Sequence, residues 1–250
     1  MTDQTKRQVT QFLIMTTGRT GSSHLLSLLQ SHPEIRHWGE IIGGWHLKQE
    51  GVKPRMNQHG PVAYIISCYE SDVDDLAIGM KIHYHQFRTA YGLNVGVKEL
   101  SQIRQFFLSN KQIKIIHLKR HNKLRMLVSR KIAETTDQWQ LYKESRRSAC
   151  VSVHLSPQEC NRAFKKNSRQ EEHYDQLFQD HDLLEVYYEN LVSDQTAVCN
   201  RILNFLQVPL QPLQSHLLLQ NTRPLPEVID NYSQLKDAFK DTPWASYFED

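Results

Sequence analysis

Residues Thr16 to Ser23 read TTGRTGSS and lie between an apolar stretch, FLIM, and a leucine-rich one. A loop of this composition can hold an anion. At a strand-to-helix junction its backbone N–H groups converge on the positive end of the helix, where unsatisfied amides and the helix dipole favour negative charge. Gly18 and Gly21 permit the tight turn, Thr17, Thr20, Ser22 and Ser23 line it with hydroxyls, and Arg19 brings charge-assisted hydrogen bonds of about 1.5–3 kcal/mol each. A plain capped loop is the alternative, but glycines, hydroxyls and an arginine coincide at the one position where a phosphate cradle would be built. The stretch is not a Walker A motif. That motif needs a lysine where Ser22 stands, so neither its lysine nor its magnesium arrangement carries over.

Three further groups can do chemistry. Lys119, Arg120, Lys123, Arg125, Arg130 and Lys131 follow one another with no acid until Glu134, which suits a local anion partner or, more plainly, a solvated helix face. His83 and His85 alternate about Tyr84 and on a strand would face one side together with Lys81; either ring can act as a base, whereas two histidines alone do not make a metal site. Lys81 is equally readable as an edge lysine whose ammonium reaches water. The four cysteines are scattered without a CxxC pair, a pattern of reduced thiols rather than of disulfides or zinc.

These groups need a frame, and the hydropathy pattern supplies one. Strands are expected at Gln11 to Met15, Ile35 to Trp38, Ala77 to His83, Gln112 to Leu118 and Leu183 to Tyr188. Between them helices are expected at Ser22 to Gln30, Pro61 to Ser71, Asn122 to Glu134 with Asn122 as N-cap, Ser156 to Gln179 with Pro157 at its first position, and Asp194 to Leu206. Short apolar strands alternating with helices imply an α/β fold, a three-layer sandwich in which a mostly parallel central sheet is flanked by helices and binds ligands at the strands' carboxyl ends. The 250 residues, 39% hydrophobic and 23% charged, read as one domain over 1–250 with a polar tail at 1–11. No apolar run is long enough for a membrane span or a signal peptide, so a cytoplasmic location is expected. A net charge of +3 is too small to imply nucleic-acid binding.

The stretch GRTGSSHLLSLLQSHPEIRHWGE resembles the sulfotransferase superfamily, whose 5′-phosphosulfate loop has the form R-[ST]-G-[ST]-[ST], matched by Arg19, Thr20, Gly21, Ser22 and Ser23. Within it the chain is most similar to the bacterial trehalose 2-sulfotransferase and nodulation-factor group and to carbohydrate sulfotransferases. IGMKIHYHQF, IIHLKRHNKLRMLVSRKIA, YYENLV, RILNFLQVP and QNTRPLPEVIDNYSQL extend the likeness in order along the chain. The resemblance implies a P-loop-like fold and transfer of a sulfuryl group from 3′-phosphoadenylyl sulfate (PAPS) to a hydroxyl of a carbohydrate, glycolipid or other small acceptor, with no metal required.

The resemblance also assigns roles. Arg120 and Ser129 match the pair that holds the donor's 3′-phosphate, although many members separate the two by eight positions and here the interval is nine, with His121 in the eight-position slot. Arg223 matches a late loop that closes over the nucleotide. Glu40, after HWG, matches a proposed general base; an exposed loop glutamate paired with an arginine is the other reading. Lys81 matches a family lysine at the donor or acceptor, and His83 is the rival base. Related bacterial enzymes can form homodimers. Two other functions stay open: a P-loop kinase using ATP and magnesium, and a non-catalytic module binding acidic polymers through residues 119–131. The acceptor is not legible, and residues 41–75 and 135–182 are expected to shape its pocket.

Overall fold

The computed structural model describes residues 9–70, 74–88, 97–143, 151–220 and 223–249. Five strands, β1 (Thr10–Thr16), β2 (Ile35–Glu40), β3 (Ala77–His83), β4 (Lys114–Lys119) and β5 (Leu183–Tyr187), form one sheet in the order β2-β3-β1-β4-β5. Every pairing in it is parallel. The chain runs from β1 through helix α1 (Ser22–Gln30) to the edge strand β2, returns to β3 and then crosses to β4 on the other side of β1. The strand order therefore reverses at β1, and the crevice at its carboxyl end is where a sheet of this kind takes a ligand.

Period-two alternation sends each strand's side chains to both faces. Leu13, Met15, Ile78, Met80, Ile82 and Ile115 pack on one side with residues of α3 (Val52–His59), α4 (Pro61–Tyr69) and α5 (Val97–Ser109). Phe12, Ile14, Ile116, Leu118 and Val186 pack on the other against α1 and α9 (Gln195–Leu206). The sheet is thus the middle layer of a three-layer sandwich, as the alternation of apolar segments implies. A third cluster joins α6 (Lys123–Thr136), the start of α7 (Pro157–Leu177) and α11 (Tyr232–Phe239), and it buries Phe248.

The caps expected from sequence are present: Asn122 accepts from the Arg125 amide and Ser156 from the Glu159 amide, with Pro157 in the first turn. Three differences stand out. The second strand runs on to Glu40, so this carboxylate is a strand-end residue. His85 is not on a strand, because β3 loses its partner where Thr16 pairs with His83, and Tyr84–Phe87 coil into a 3₁₀ turn capped by the Gln86 side chain on the His83 amide. The helices α2 (Gly44–Leu47), α3, α5 and α8 (Tyr188–Ser193) were not anticipated; of these only α5 carries a legible signal, with Leu100, Ile103 and Phe107 on one face. Among the described residues no helix is long and apolar enough to cross a membrane.

Buried ion pairs fix α7 to the sheet. Lys119 Nζ and His117 Nδ1 each lie 2.7 Å from Asp175, and Lys123 Nζ lies 2.6 Å from both Glu171 oxygens. The helix therefore turns Glu171 and Asp175 inward.

Gly79 sets the spacing of the two central strands. It pairs with Phe12, and a β-carbon there would stand 2.3 Å from the Phe12 ring. Gly79→Ala is expected to overpack this contact and cost about 1–3 kcal/mol, measured as a lower urea midpoint at unchanged slope. An unchanged midpoint would show that the ring has room to move.

Candidate active site

All five strand ends contribute to one edge of the sheet. Glu40 ends β2, His83 ends β3, the TTGRTGSS loop follows β1, Arg120 follows β4, and Tyr188 and Glu189 follow β5. A parallel sheet alone brings these distant positions together.

The loop is held in an unusual shape. Arg19 (φ 68°) and Gly21 (φ 81°) are both left-handed, which costs a non-glycine residue about 1–2 kcal/mol. Thr20 is buried; its Oγ1 lies 2.6 Å from Thr16 Oγ1, which also donates to the Leu118 carbonyl at 2.7 Å. These bonds tie the loop to the end of β4 and hold the strained residues in place. Gly21 lies under the Tyr188 ring, where a β-carbon would come within 2.3 Å. As the N-cap of α1 it offers no side-chain bond, so the first-turn amides are left for another acceptor.

These amides border a cavity of about 120 Å³ lined by Arg19, Ser22, Ser23, Arg120, Arg125 and Ser129, among others. Arg19 spans it. Its Nε donates to Ser129 Oγ at 2.9 Å, Nη1 to the Trp139 carbonyl at 3.0 Å and Nη2 to Gln220 Oε1 at 2.6 Å, all neutral acceptors. Arg120 Nη1 donates to the Arg19 carbonyl at 3.1 Å, and its guanidinium lies 4.3 Å from the centre of the Tyr188 ring. Its Nε is buried, 3.8 Å from Glu189, and has no hydrogen-bond partner. Burial, and then the neighbouring Arg120, hold the Arg19 guanidinium below its ordinary pKa, and burial does the same to Arg120. An arginine stays charged even so, so two half-buried cations share this cavity and an anion between them would relieve both.

A second group gathers at the ends of β2 and β3. Glu40 Oε2 lies 3.1 Å from Lys81 Nζ and 3.6 Å from His83 Nε2, while Glu40 Oε1 accepts from Gln86 Nε2 at 2.6 Å. Burial alone would raise the Glu40 pKa, but Lys81, His83 and Gln86 together bring it below the usual value. The carboxylate is ionised at neutral pH. His83 goes the other way from a charged state: burial first, and then Lys81, push it down to about 3, so the ring is neutral, and its buried Nε2 has no hydrogen-bond partner. The chain doubles back over the carboxylate at Gly43, where a β-carbon would stand 2.6 Å from Glu40 Oε1. His83 packs edge-on to His85 at 5.5 Å, and His85 lines a cavity of about 480 Å³ with Thr17, Gly18, Arg19 and Arg130. Two cavities thus meet at the loop, and the larger one approaches the Glu40–His83 pair through His85.

A model of the Sulfotransferase family matches residues 96–212. Two curated relatives, each a Nodulation protein H, one of Rhizobium meliloti and one of Rhizobium tropici, are both 26% identical to the chain over 95% of its length and cover 94% and 92% of their own. Among solved structures a sulfotransferase from Alicyclobacillus acidocaldarius superposes with a TM-score of 0.52 at 15% identity, over 97% of this chain and 95% of that one. The chain is thus similar to sulfotransferases, to the family model over residues 96–212 and to the two Rhizobium proteins over nearly its whole length at 26% identity. The likeness to the solved sulfotransferase is one of fold.

Within this sulfotransferase-like frame the sequence-derived residues fall into three sets. Arg19, Gly21, Ser22, Ser23, Arg120 and Ser129 line the cationic cavity, and Thr17 and Gly18 line the larger one. Arg120 is the inward residue of its pair, whereas His121 is exposed and stacks flat on Tyr187 at 3.9 Å. Glu40, Lys81 and His83 form the second cluster. Thr20 faces inward as a tie. Arg223 does not line either cavity; its Nε pairs with Glu227 at 3.1 Å, its backbone carbonyl accepts from Arg125 at 3.3 Å and its Nη1 is buried without a partner. The late segment, which the resemblance marks from Gln220 onward, reaches the loop through Gln220, while sequence reasoning gave no role to Tyr188, Gln86 or Trp139. Tyr188 had a signal in YYENLV; the others are placed by contacts between distant segments. Among the described residues no three His, Cys, Asp or Glu side chains are grouped to hold a metal ion.

His83 should make stability depend on pH. Its folded pKa of about 3 lies below its ordinary 6.5, so below pH 6.5 the unfolded chain takes up a proton that the native ring refuses, and stability falls as pH drops toward 3. His83→Gln is expected to remove about one proton, or about 1.4 kcal/mol per pH unit, from this slope, read from denaturation midpoints at pH 4.5 to 6.5. An identical slope in the variant would contradict a buried neutral ring.

Proposed function

We propose that this protein is a sulfotransferase that uses PAPS as donor and a hydroxyl of a small carbohydrate, glycolipid or similar molecule as acceptor. The observation that carries the reading is the pair Arg19 and Arg120, half-buried at the carboxyl ends of β1 and β4, turned toward one cavity and lacking a hydrogen-bonded carboxylate partner. Such a pocket stabilises negative charge before a ligand arrives. The full-length likeness to the two Rhizobium proteins supports the bacterial glycolipid branch of the superfamily.

Arg19, the amides of Gly21 to Ser23, Arg120 and Ser129 would hold the phosphate groups of PAPS, and Arg125 adds charge at the same cavity. The chemistry PAPS supplies when bound is a sulfuryl group, whose bond to the phosphate oxygen breaks as a bond to the acceptor oxygen forms, the electron pair leaving on the phosphate. Arg19 and the loop amides meet the charge that develops there, and because they are already oriented they need no reorganisation. The acceptor's hydroxyl proton passes to Glu40 Oε2 or His83 Nε2, with Lys81 steadying the carboxylate. Glu40 is the stronger candidate, since its carboxylate is ionised and carries a charge that attracts the proton, whereas burial and Lys81 oppose a proton on the His83 ring. Gln86 and Gly43 then act as positioning residues for Glu40.

Ligand-dependent melting tests the donor site. At about 100 times its Kd, the desulfated product 3′-phosphoadenosine 5′-phosphate should add about 2.7 kcal/mol, or roughly 5–10 °C for a chain of 250 residues, in the presence of EDTA, with ATP having little effect. Arg19→Ala should lose the shift. A magnesium-dependent shift with ATP and none with the 3′-phosphorylated nucleotide would replace this reading by a kinase.

Turnover tests the base. Glu40→Gln should lower kcat by about 10²- to 10⁴-fold with the nucleotide's melting shift intact, and Gly43→Ala should lower it in the same sense by displacing the carboxylate. Full turnover in Glu40→Gln would move the role to His83.

A further inference from the structure

Helix α7 divides its charges. Glu171 and Asp175 point to the sheet, where Lys123, Lys119 and His117 consume them, and Glu159 pairs with Lys131. On the opposite face Arg162, Lys165, Lys166 and Arg169 are all exposed and fall at spacings of three and four, which stacks them in one stripe. Glu172 is the exposed acid beside that stripe. A solvated helix face would end the matter there, but this stripe forms one wall of a cavity of about 470 Å³, and Arg88 from the turn after β3 also lines it. Five cationic side chains from two separate elements line that cavity together with Gln170, His173 and Tyr174, and no carboxylate lines it. Among the described residues none of the five is ion-paired.

The groove adjoins the larger cavity beside the loop. Lys166 and Gln170 line both it and the larger cavity bordered by Thr17, Gly18, Arg19 and His85. The next basic residues of the stripe lie about one helical turn from Lys166, at a rise of about 1.5 Å per residue. A molecule whose hydroxyl reached the loop would therefore extend along a row of exposed cations that line one concave face, where salt weakens but does not abolish their attraction for an anion.

The geometry points to an acceptor that is itself anionic: a hydroxylated saccharide bearing carboxylate or phosphate groups, which rest on Arg88, Arg162, Lys165, Lys166 and Arg169 while its hydroxyl reaches the loop. This rests on the sulfotransferase reading above and narrows its acceptor. A nucleic acid would need the same cations, but a single open groove of this size, with Tyr174 buried rather than offered for stacking, suits a short oligosaccharide better than a polymer of bases.

The test uses hexagalacturonate, its carboxyl-reduced neutral form, a phosphorylated maltohexaose and oligo(U), each titrated calorimetrically into the full chain saturated with 3′-phosphoadenosine 5′-phosphate. One or both anionic saccharides should bind at least about tenfold more tightly than the neutral form, with affinity falling as salt rises; which of the two binds better separates carboxylate from phosphate recognition. Arg162→Gln/Lys165→Gln/Arg169→Gln should lose about tenfold or more of that affinity and keep the wild-type melting shift with the nucleotide, which also shows that it folds. Equal binding of charged and neutral saccharides, no binding of either anionic one, tighter binding of oligo(U), or an unaffected triple variant would each overturn the inference. The donor reading fails separately, by loss of the nucleotide's melting shift in the wild-type chain.

Discussion

Two guanidiniums brought close together away from bulk water, with no hydrogen-bonded carboxylate to neutralise them, are the arrangement from which the rest of the site follows. Charge repulsion between Arg19 and Arg120 and the loss of water from both work against the folded state. The fold tolerates this because each is held by something rigid: Arg19 by a left-handed backbone that the Thr16 and Thr20 hydroxyls lock, Arg120 by the face of Tyr188 and the carbonyl of Arg19. What opposes folding here is what would favour a bound dianion. Ser129, Trp139 and Gln220 act as interim acceptors that such an anion can replace.

The same accounting explains the other charged clusters. Lys81 and Glu40 neutralise each other in a half-buried setting, which leaves the carboxylate ionised and the adjacent His83 uncharged. On α7 every inward acid is matched to a cation from β4 or α6, so those two elements are fixed and the helix's outward bases are left over. On the scaffold side of α7 charges meet at hydrogen-bond distance, whereas Arg19 has only neutral acceptors and Arg120 has Glu189 no nearer than 3.8 Å.

Glycine plays a narrow part. At Gly21 and Gly43 a methyl group would collide with Tyr188 or Glu40, and at Gly79 with Phe12. The first two bring backbone against a ring or a carboxylate of the site, and the third lets β1 and β3 approach at the centre of the sheet. Each is a position where a side chain of this protein occupies the space a β-carbon would take.

Local pattern was enough to mark the apolar strands, the capped helices at Asn122 and Ser156, and the loop Thr16 to Ser23, because these depend on neighbours within a few residues. It also marked Lys81, His83 and Arg120 as residues able to do chemistry, while Glu40 and Ser129 were marked by the resemblance. Which of them meet was decided only by the parallel sheet, whose strand order places the ends of β2, β3, β1, β4 and β5 side by side although they lie far apart in the chain. The choice of Arg120 over His121 depended on Tyr187 and Tyr188, which follow one another at the end of a strand and stack the two neighbours on different sides. The end of β3 at His83 depended on where its partner β1 stops. Contacts of this kind join segments separated by dozens of residues, and no local spacing encodes them.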